Sequence, residues 1–395
     1  MTNKAFLSGN EAVAEGVRLS KPHVIAAYPI TPQTVAVERL AEMAEDESLK
    51  CEFLHVESEH SALSACMGAA GIGARTFTAT SSQGLLYMAE CLHYASGGRF
   101  PIVMMNANRA LALPWSIYGD HRDSLSLLDS GWIQVYVEDA QESLDMVIQS
   151  YAIAENLKVL TPIMLNLDGF ILTHTYELVE IPDGERVDKF LPSFDTPYKM
   201  DLEAPKNMGF SSSPADNMEF KYQQHKAVLD AKQVIRDVDE AFGKAFGRSY
   251  GGLLDAYMCE DAELILVSLG STTGTCRTVV DELREQGWKV GVLKIRFMRP
   301  FPEDEIIEIT RNAKAVGVID RDISFGYEGT VFTNVNSAIS KTGLNISKLN
   351  FIAGLGGRDV SKEIIREAFS DLKEASEGKD KKRVKFLSLG VDIDE

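Results

Sequence analysis

The sequence has little basic charge and no apolar run long enough to cross a membrane. Among its 395 residues, 40 are lysine or arginine and 58 are aspartate or glutamate, so the formal net charge is −18. Proteins that bind nucleic acid neutralise phosphates with lysine and arginine, and this balance therefore argues against a nucleic-acid partner. A membrane helix needs about 20 consecutive apolar residues, and no segment reaches that length. We expect no membrane span, and a charge that favours solubility or a basic partner.

Cysteine is also scarce, and its spacing excludes several kinds of metal site. The chain has five cysteines: Cys51, Cys66, Cys91, Cys259 and Cys276. None belongs to a C-x-x-C pair, so the sequence predicts neither a zinc site nor an iron–sulfur cluster. Scattered thiols are typical of a reducing compartment, and residues 1–7 lack the pattern of a secretory signal. We therefore expect a cytoplasmic protein whose redox centres, if it transfers electrons, lie on another chain.

Strand and helix patterns alternate over the first ~180 residues, which predicts a parallel sheet covered by helices. No period holds over residues 191–221, a length that is unusual for a connection inside a compact domain. An amphipathic helix is predicted at 222–247, and a second strand–helix alternation begins near Asp261. These patterns predict an α/β protein with a first domain at 1–190, a connector at 191–255 and a second domain at 256–395.

Some local patterns predict individual elements of these domains. Ser8 and Glu11 form a capping box that opens a helix. One helix is predicted at 82–95, and the strand patterns include 264–269 and 315–320. The charge run at 379–385 is predicted to be solvated.

The first segment that suggests chemistry is the turn at residues 28–32. It follows a short buried strand, so we predict that Thr31 caps the next helix and that Pro32 is its first residue. A helix start presents free N–H groups and a partial positive charge, which favour a carboxylate or a phosphate. The alternative is that Thr31 does no more than cap its own helix.

The second segment places two carboxylates at a strand-to-helix transition. Glu57 and Glu59 precede an apolar helix that is rich in glycine, and a carboxyl group in such surroundings can share a proton with a ring nitrogen. The alternative for both is a favourable interaction with the helix dipole. His60, between them and the helix, is more typical of a structural histidine.

The third segment begins with Arg109, which directly follows a predicted buried strand. An unpaired cation is costly there, so Arg109 needs an anion. That anion is either a carboxylate of the protein or a substrate bound by the planar guanidinium. Trp115 follows shortly and suits either a wall of the site or the core.

Two glycine-rich segments resemble nucleotide loops only superficially. Residues 270–274 lack the Lys-Ser/Thr ending of a P-loop and the G-x-G-x-x-G spacing, so we predict a tight turn between strand and helix. The chain has no dinucleotide fingerprint after its first strand, which argues against an NAD-linked dehydrogenase. Residues 354–359 follow a strand and suit a close approach to a ligand or a partner backbone.

Several segments together resemble the alpha subunits of the pyruvate:ferredoxin oxidoreductase family. The segments are AYPITPQT at 27–34, VESEHSA at 56–62, TATSSQGLLYM at 78–88, ANRALALPWSIYGDHRDS at 107–124, DSGWIQVY at 129–136, RFMRPFP at 296–302 and GLGGRDV at 354–360. YPITP alone occurs across several 2-oxoacid oxidoreductases, whereas the combination is more specific. The resemblance spans most of the chain.

The resemblance implies a pyrimidine-type thiamine-diphosphate-binding domain followed by a domain like the C-terminal domain of transketolase. It implies that thiamine diphosphate is shared with a beta subunit, and that Mg²⁺ and [4Fe–4S] clusters lie on partner subunits of the beta, gamma and delta types. The implied reaction is the oxidative decarboxylation of pyruvate with coenzyme A to acetyl-CoA, CO2 and reduced ferredoxin.

The resemblance also assigns roles to four residues. Glu59 matches the glutamate that hydrogen-bonds the aminopyrimidine ring, Pro29 lies in the matching turn, and Thr31 and Arg109 match positions that hold the substrate carboxylate. A neutral Thr31 beside one cationic Arg109 suits a monoanionic 2-oxoacid. Open alternatives are another 2-oxoacid, namely 2-oxoisovalerate, an aryl 2-oxoacid or oxalate, and a non-catalytic assembly subunit.

Overall fold

Two mainly parallel β-sheets organise the protein in a computed structural model that describes residues 3–391. The strands, in chain order, are β1 Asn3–Ser8, β2 Val24–Ala27, β3 Glu52–His55, β4 Thr76–Thr80, β5 Val103–Asn108, β6 Ile133–Tyr136, β7 Ile163–Asp168, β8 Tyr176–Ile181, β9 Leu254–Tyr257, β10 Leu264–Ser268, β11 Val290–Ile295, β12 Phe297–Arg299, β13 Ala315–Asp320, β14 Ser347–Ile352 and β15 Val384–Phe386.

Helices connect most of these strands. They are α1 Gly9–Ser20, α2 Thr34–Glu45, α3 Glu59–Gly71, α4 Ser82–Tyr87, α5 Ala89–Gly97, α6 Arg122–Leu125, α7 Ala140–Ala154, α8 Ile171–His174, α9 Gly184–Phe190, α10 Asn217–Phe246, α11 Thr272–Glu285, α12 Glu303–Thr310, α13 Thr330–Ser340 and α14 Lys362–Ser376. Short 3₁₀ turns occur at Leu128–Ser130 and Leu355–Gly357.

The first sheet has the strand order β12-β6-β7-β5-β4-β2-β3. Six of its strands are parallel, and only β12, which comes from the later part of the chain, is antiparallel to its neighbour β6. A separate antiparallel pair joins β1 to β8 beside this sheet. The carboxyl ends of β2, β4 and β5 therefore meet at one edge, where open α/β sheets bind ligands.

The second sheet has the order β15-β14-β13-β10-β11-β9. Its strands are parallel except for β9, which runs antiparallel to β11. Each sheet has a core on both faces, because neighbouring residues of one strand point to opposite sides. Ile25 of β2 belongs to one cluster and Ala26 to another, and Val316 and Ala315 of β13 are divided in the same way.

The predicted α/β architecture with two parallel sheets is confirmed, and several local predictions hold. Ser8 and Glu11 form a full capping box at the start of α1. The strand predicted at 315–320 is β13, and that at 264–269 is β10 to within a residue. No helix or strand lies between α9 and α10, as the loss of periodicity in that region indicates.

Other local predictions need correction. The single helix predicted at 82–95 is two helices, α4 and α5, which meet at Met88. The amphipathic helix begins at Asn217 rather than at 222. The charge run at 379–385 is exposed or half-buried, as predicted, but its last two residues also begin β15, and Lys381 and Lys385 bind Asp371.

The prediction for Thr31 and Pro32 is wrong in its geometry. The helix α2 begins at Thr34, with Gln33 as its N-cap residue. Residues 30–33 form a turn instead, in which Gln33 N donates to Ile30 O at 3.0 Å and Gln33 Nε2 donates to Tyr28 O at 2.9 Å. No helix among residues 3–391 is both long enough and apolar enough to span a membrane.

Candidate active site

Arg109 follows β5 at the carboxyl edge of the first sheet, and its side chain is 5% exposed. Its Nη1 donates to the backbone oxygen of Thr31 at 2.7 Å, and its Nη2 donates to Gln83 Oε1 at 3.2 Å. Both acceptors are neutral, and the buried Nε has no partner within residues 3–391. The guanidinium forms no ion pair there either, so the internal salt bridge that the sequence left open is absent from the described part of the chain.

Neighbouring charges tune this cation. Burial lowers the pKa of Arg109 from its ordinary value, while the carboxylates of Asp123 and Glu59 oppose that shift. Glu59 is therefore within electrostatic reach of Arg109. The ring of Trp115 covers the guanidinium, with its centroid 5.5 Å from Cζ, which is a cation–π contact.

Glu59 is the first residue of α3 and is buried. Ser58 caps the helix by accepting the N–H of Ser61 at 3.1 Å, so Glu59 is not needed as the cap. Its carboxylate packs against α4, where a Cβ on Gly84 would lie 2.5 Å from Glu59 Oε1. No donor of the described residues hydrogen-bonds this carboxylate, and the nearby buried Thr80 Oγ1 also has no partner. The Glu59 carboxylate therefore has hydrogen-bond acceptor capacity that no described residue uses.

Glu57 and His60, the neighbours of Glu59 in the predicted segment, have partners near the surface. Glu57 is exposed, and its Oε1 accepts a hydrogen bond from Ser61 Oγ at 2.5 Å, which lowers the pKa of Glu57. The His60 ring lies beside Tyr87, and its Nε2 is 3.4 Å from Glu90 Oε2. Surface contacts therefore account for both residues.

Thr31 and Pro29 lie in the turn after β2, and both are exposed. Thr31 contributes its carbonyl oxygen to Arg109, while its hydroxyl makes no hydrogen bond to any described residue. The structure thus places Thr31, Glu59 and Arg109 together at one edge, with Gln83 between the last two. Pro29 lies further out in the same turn.

Asp123 is a buried carboxylate beneath the site that the sequence analysis did not single out. Its Oδ2 accepts the backbone N–H groups of Ser82 and Arg109, both at 3.1 Å, and its Oδ1 accepts Asn108 Nδ2 at 2.8 Å. Burial raises the pKa of Asp123 to about 6, against the opposing effect of these hydrogen bonds. Asp123 ties two loops of the site together, and its only sequence signal was its place inside the segment at 107–124.

Asp168, at the end of β7, is a second carboxylate that the sequence did not reveal. Its Oδ1 lies 2.5 Å from His121 Nε2 and 2.9 Å from Arg321 Nη1, and its Oδ2 accepts Ser271 N at 2.8 Å. Burial acts to raise the pKa of Asp168, but Arg321 and His121 outweigh it and hold the pKa well below its ordinary value. The start of α11 is therefore neutralised by a carboxylate of the chain itself.

The two glycine-rich segments are accounted for by this packing. Gly270 has φ +60°, and a Cβ there would lie 2.7 Å from Asp168 Oδ2, so the tight turn that the sequence predicts is present. Gly357 approaches Tyr118, where a Cβ would lie 2.2 Å from that residue's own Cβ. The segment at 354–359 thus approaches another loop of the same chain. The described residues contain no group of three or more His, Cys, Asp or Glu side chains that could hold a metal ion.

Comparison with known families identifies the two halves of the chain. Residues 15–240 match the thiamine diphosphate-binding region of pyruvate flavodoxin/ferredoxin oxidoreductases. Residues 262–365 match core domain II of pyruvate:ferredoxin oxidoreductase. The chain belongs to this family.

Curated relatives support the same membership over nearly the full length. The pyruvate synthase subunit PorA of Methanothermobacter thermautotrophicus is 49% identical over 361 residues, which cover 91% of this chain and 93% of the relative. The ketoisovalerate oxidoreductase subunit VorA of Pyrococcus horikoshii is 44% identical over 388 residues and 98% of both chains. The predicted membership of the 2-oxoacid:ferredoxin oxidoreductases, multi-subunit enzymes that use thiamine diphosphate, is therefore confirmed.

Solved structures show the same fold. The 2-oxoglutarate:ferredoxin oxidoreductase of Magnetococcus marinus superimposes with a TM-score of 0.73 at 20% identity, covering 93% of this chain and 65% of that chain. A split-gene transketolase superimposes with a TM-score of 0.52 at 12% identity, covering 93% of this chain and 100% of that one. These likenesses confirm the predicted fold class.

Proposed function

We propose that this chain is the alpha subunit of a pyruvate:ferredoxin oxidoreductase that holds the substrate carboxylate with Arg109 and Thr31. The observation that carries the proposal is the buried Arg109 guanidinium, which has no carboxylate partner among the described residues and leaves Nε unpartnered. A buried cation is stable only when it is paired, so a substrate carboxylate would complete this site.

The charge around Arg109 favours a substrate with a single negative charge. Two other arginines near this edge already have partners, since Arg122 pairs with Asp120 at 2.8 Å and Arg321 with Asp168 at 2.9 Å. Of these three arginines, Arg109 is the one without a carboxylate partner among the described residues, and it remains for the substrate. The exposed hydroxyl of Thr31 adds a neutral donor beside it, which suits pyruvate better than a dianion.

Glu59 is proposed to accept a hydrogen bond from the aminopyrimidine ring of thiamine diphosphate. The fit is supported by its buried carboxylate, whose acceptor capacity is unused within residues 3–391, and by Gly84, whose lack of a Cβ makes room for that carboxylate. A carboxylate in this position can hold the proton that it shares with a ring nitrogen. When bound, thiamine diphosphate would supply the electron sink for decarboxylation. Pro29 would line the same turn.

Partner chains are proposed to supply the remaining groups. The described residues offer no metal-binding cluster, and the start of α11 is occupied by Asp168, so the diphosphate and its Mg²⁺ fit better on a beta subunit. Large apolar side chains at the site edge are exposed, among them Leu113 at 86% and Trp115 at 69%, as expected where another subunit docks. Iron–sulfur clusters on the partner subunits, including the gamma and delta types, would pass electrons to ferredoxin, with coenzyme A as the acyl acceptor.

The domain division is part of the same proposal. We infer a pyrimidine-binding domain at 1–190, a connector with a long helix at 191–255 and a transketolase C-terminal-like domain at 256–395. The two sheets and the irregular residues between α9 and α10 support this division.

A second candidate substrate is 2-oxoisovalerate. Relatives named for ketoisovalerate and for pyruvate have similar identities to this chain, 44% and 49%. Trp115, whose ring lies over Arg109, is 69% exposed, so walls around the substrate side chain are proposed to come from a partner subunit.

The test is an anaerobic assay of the intact complex with coenzyme A, following viologen reduction with pyruvate, 2-oxoisovalerate, 2-oxoglutarate and oxalate. The proposal predicts the highest kcat/KM for pyruvate. A preference for 2-oxoisovalerate would select the second candidate, and a preference for either dianion would contradict the single-cation argument. A complex that turns over none of them would support a non-catalytic assembly subunit.

A further inference from the structure

The loop that carries Trp115 is held by the second half of the chain. It leaves the first sheet after Arg109 and returns at His121. The N–H of Ala110 donates to the carbonyl of Tyr118 at 3.0 Å, which closes the loop on itself. Trp115, near its tip, lies over the guanidinium of Arg109. The position of this loop therefore decides how Arg109 is presented.

Arg321, which directly follows β13 of the second sheet, contacts the base of this loop. Its Nη2 donates to the carbonyl of Gly119 at 2.9 Å, and its own carbonyl accepts the N–H of His121 at 2.8 Å. Its Nη1 lies 2.9 Å from Asp168, which also contacts the His121 ring. One side chain thus joins the loop base to the end of β7.

The fit at this base leaves little room for an alternative arrangement. A Cβ on Gly169 would lie 2.2 Å from the carbonyl of Asn108, and a Cβ on Gly119 would lie 2.9 Å from the carbonyl of Gly169. Backbone segments that pack this closely can move only together. A displacement of the loop base would therefore be transmitted to Asn108 and to its neighbour Arg109.

The loop has two further anchors in the second half of the chain, one at its base and one near its tip. Asp120 accepts the N–H of Gly356 at 3.0 Å, and Ser116 Oγ donates to the carbonyl of Gly356 at 3.2 Å. Both the base and the tip thus depend on segments that follow strands of the second sheet.

Stability alone does not explain this arrangement. Arg321, Asp168 and His121 are 3%, 2% and 2% exposed, and removing charges from water offsets most of what their attraction gains. We therefore interpret this buried ion pair as a contact that fixes the geometry of the loop rather than as a net source of stability.

We propose that Arg321 is a positioning residue for substrate binding, which fixes loop 110–121 so that Trp115 and Arg109 face the 2-oxoacid carboxylate. The inference rests on the proposed role of Arg109. According to this inference, the second sheet affects substrate affinity through the loop, although none of its groups touches the substrate. Since a misplacement of about 1 Å can cost on the order of 100-fold, a partial loss of the anchor should be measurable.

The experiment compares Arg321→Met and Arg321→Lys in the purified complex, with KM and kcat for the 2-oxoacid and the thermal midpoint as readouts. Arg321→Met should raise KM about 5- to 30-fold while kcat at saturation changes less than threefold, because the reacting groups themselves remain. Arg321→Lys keeps a charge beside Asp168 and should restore part of the affinity. A KM within twofold of wild type for both variants would overturn the proposal.

Arg75 provides the matched control. It is also buried, it binds both carboxylate oxygens of Glu155 at 2.6 Å, and it donates to the carbonyl of Ser20 at 2.6 Å, away from the site. Arg75→Met and Arg75→Lys should lower the thermal midpoint without changing KM. If Arg321→Met does not assemble, Arg321→Lys decides, since its KM should rise about 3- to 10-fold while that of Arg75→Lys does not.

A double variant separates this inference from the proposed function. If Arg321 acts through Arg109, the KM of Arg109→Met should not rise further when Arg321→Met is added. Additive effects would mean that Arg321 acts by another route and would overturn the inference. If Arg109→Met itself leaves KM unchanged, the proposed substrate role of Arg109 fails, and this inference fails with it.

Discussion

The two sheets have similar topology, but their carboxyl edges differ in how their polar groups are satisfied. At the first edge, Arg109 has only neutral acceptors, and the Glu59 carboxylate accepts no hydrogen bond from residues 3–391. At the second edge, Asp320 ends β13 and accepts the N–H groups of Val331 at 2.9 Å and Phe332 at 3.1 Å. Helix α13 is thus capped by the chain itself.

The start of α11 is likewise hydrogen-bonded by a carboxylate of the chain itself. The N–H of Ser271 reaches Asp168 at 2.8 Å, so a helix start that could attract a phosphate is already occupied by a carboxylate. Unmet hydrogen-bonding capacity is costly in a buried site, and where it accompanies an unpaired cation it makes that site a candidate for ligand binding. The second edge also has atoms without a hydrogen bond, Arg321 Nε and Nη1, but that guanidinium lies beside Asp168, whereas Arg109 has no carboxylate partner within residues 3–391. The comparison therefore teaches that both edges have the topology of a ligand site, and that the first is the one with an unpaired cation.

The largest expected effect is that of Glu59→Gln. It replaces the carboxylate that we propose shares a proton with the cofactor by an amide of nearly the same shape, so kcat should fall by ~10²–10⁴-fold, the usual contribution of a positioned acid or base. Viologen reduction by the intact complex measures this. Thiamine diphosphate content and subunit assembly should remain normal.

Glu57→Gln is the matched control for Glu59→Gln. It removes the same charge two residues earlier, where the carboxylate is exposed and bonded to Ser61, and it should leave kcat within about twofold of wild type, as for most surface changes. If kcat fell equally in both variants, the loss would not be specific to the position of Glu59 at the first edge.

The opposite case is a carboxylate that is fully partnered, and Glu142→Gln tests it. Glu142 on α7 binds Lys294 at 2.6 Å and Arg296 at 2.7 Å, all three being buried. Loss of one partner from such a cluster should cost about 3–5 kcal/mol of stability at pH 7, since the remaining cations stay buried. The comparison predicts a lower thermal midpoint and an unchanged KM.

The pH dependence of this loss has a defined sign. Burial acts to raise the pKa of Glu142, but Lys294 and Arg296 outweigh it and lower the pKa to about 2. The stabilisation is thus complete above the ordinary pKa near 4.5 and is lost as the pH falls towards 2. The difference in midpoint between wild type and Glu142→Gln should be constant at neutral pH and narrow below about pH 4.5.

Glu155 offers a control of opposite sign. Burial raises the pKa of Glu155 despite its pairing with Arg75, so its charged form is disfavoured in the folded protein. The folded wild type therefore gains stability from protonation of Glu155 as the pH falls. The difference in thermal midpoint between wild type and Glu155→Gln should widen in the same direction. If the midpoint difference narrowed at low pH for both variants, the measurement would report an overall destabilisation by acid and not the Glu142 cluster.

A smaller effect is expected for Arg109→Met, which keeps an unbranched apolar stem but removes the guanidinium and its charge. A charge-assisted hydrogen bond contributes about 1.5–3 kcal/mol, so KM for the 2-oxoacid should rise roughly 10- to 150-fold. The thermal midpoint should stay the same or increase, because the folded chain no longer buries an unpaired cation. A clear fall in the midpoint with unchanged KM would show that Arg109 is structural.

Sequence patterns predicted the elements but not the contacts between distant segments. The capping box of Ser8 and Glu11 lies within four residues, and its signal is local. The contact of Arg109 with the carbonyl of Thr31 joins positions 78 apart, and that of Asp168 with Ser271 joins positions 103 apart. No periodicity encodes such pairs, so Asp123 and Asp168 escaped notice although both are buried and ionisable.

One wrong local prediction and one incomplete one have the same physical origin. Thr31 was expected to cap α2. Instead, Asn10 Nδ2 donates a hydrogen bond to the carbonyl of Pro32 at 2.9 Å, and Gln33 Nε2 donates to the carbonyl of Tyr28. These two contacts keep residues 30–33 in a turn. The charge run near the C-terminus was expected to be solvated, yet charged residues are common on edge strands, and β15 is one. In both cases a distant partner overrode the local preference.

The smallest effects come from a pair of glycines that occupy equivalent places at the two edges. A Cβ on Gly84 would lie 2.5 Å from Glu59 Oε1, and a Cβ on Gly329 would lie 2.2 Å from Asp320. Neither glycine has a positive φ, so alanine is sterically allowed by the backbone itself. The clash is with the carboxylate and, at Gly84, also with Thr80 Oγ1 at 2.7 Å.

The consequences should nevertheless differ, because only one of these carboxylates is held by the chain. Gly84→Ala should push the unbonded Glu59 carboxylate aside and lower kcat about 10-fold with little change in the thermal midpoint. Gly329→Ala should strain Asp320 against its bonds to Val331 and Phe332, costing about 1–3 kcal/mol of stability while KM and kcat of the folded enzyme stay near wild type. If both variants lost stability and neither lost turnover, Glu59 would be as firmly held as Asp320, and the first edge would not be the open one.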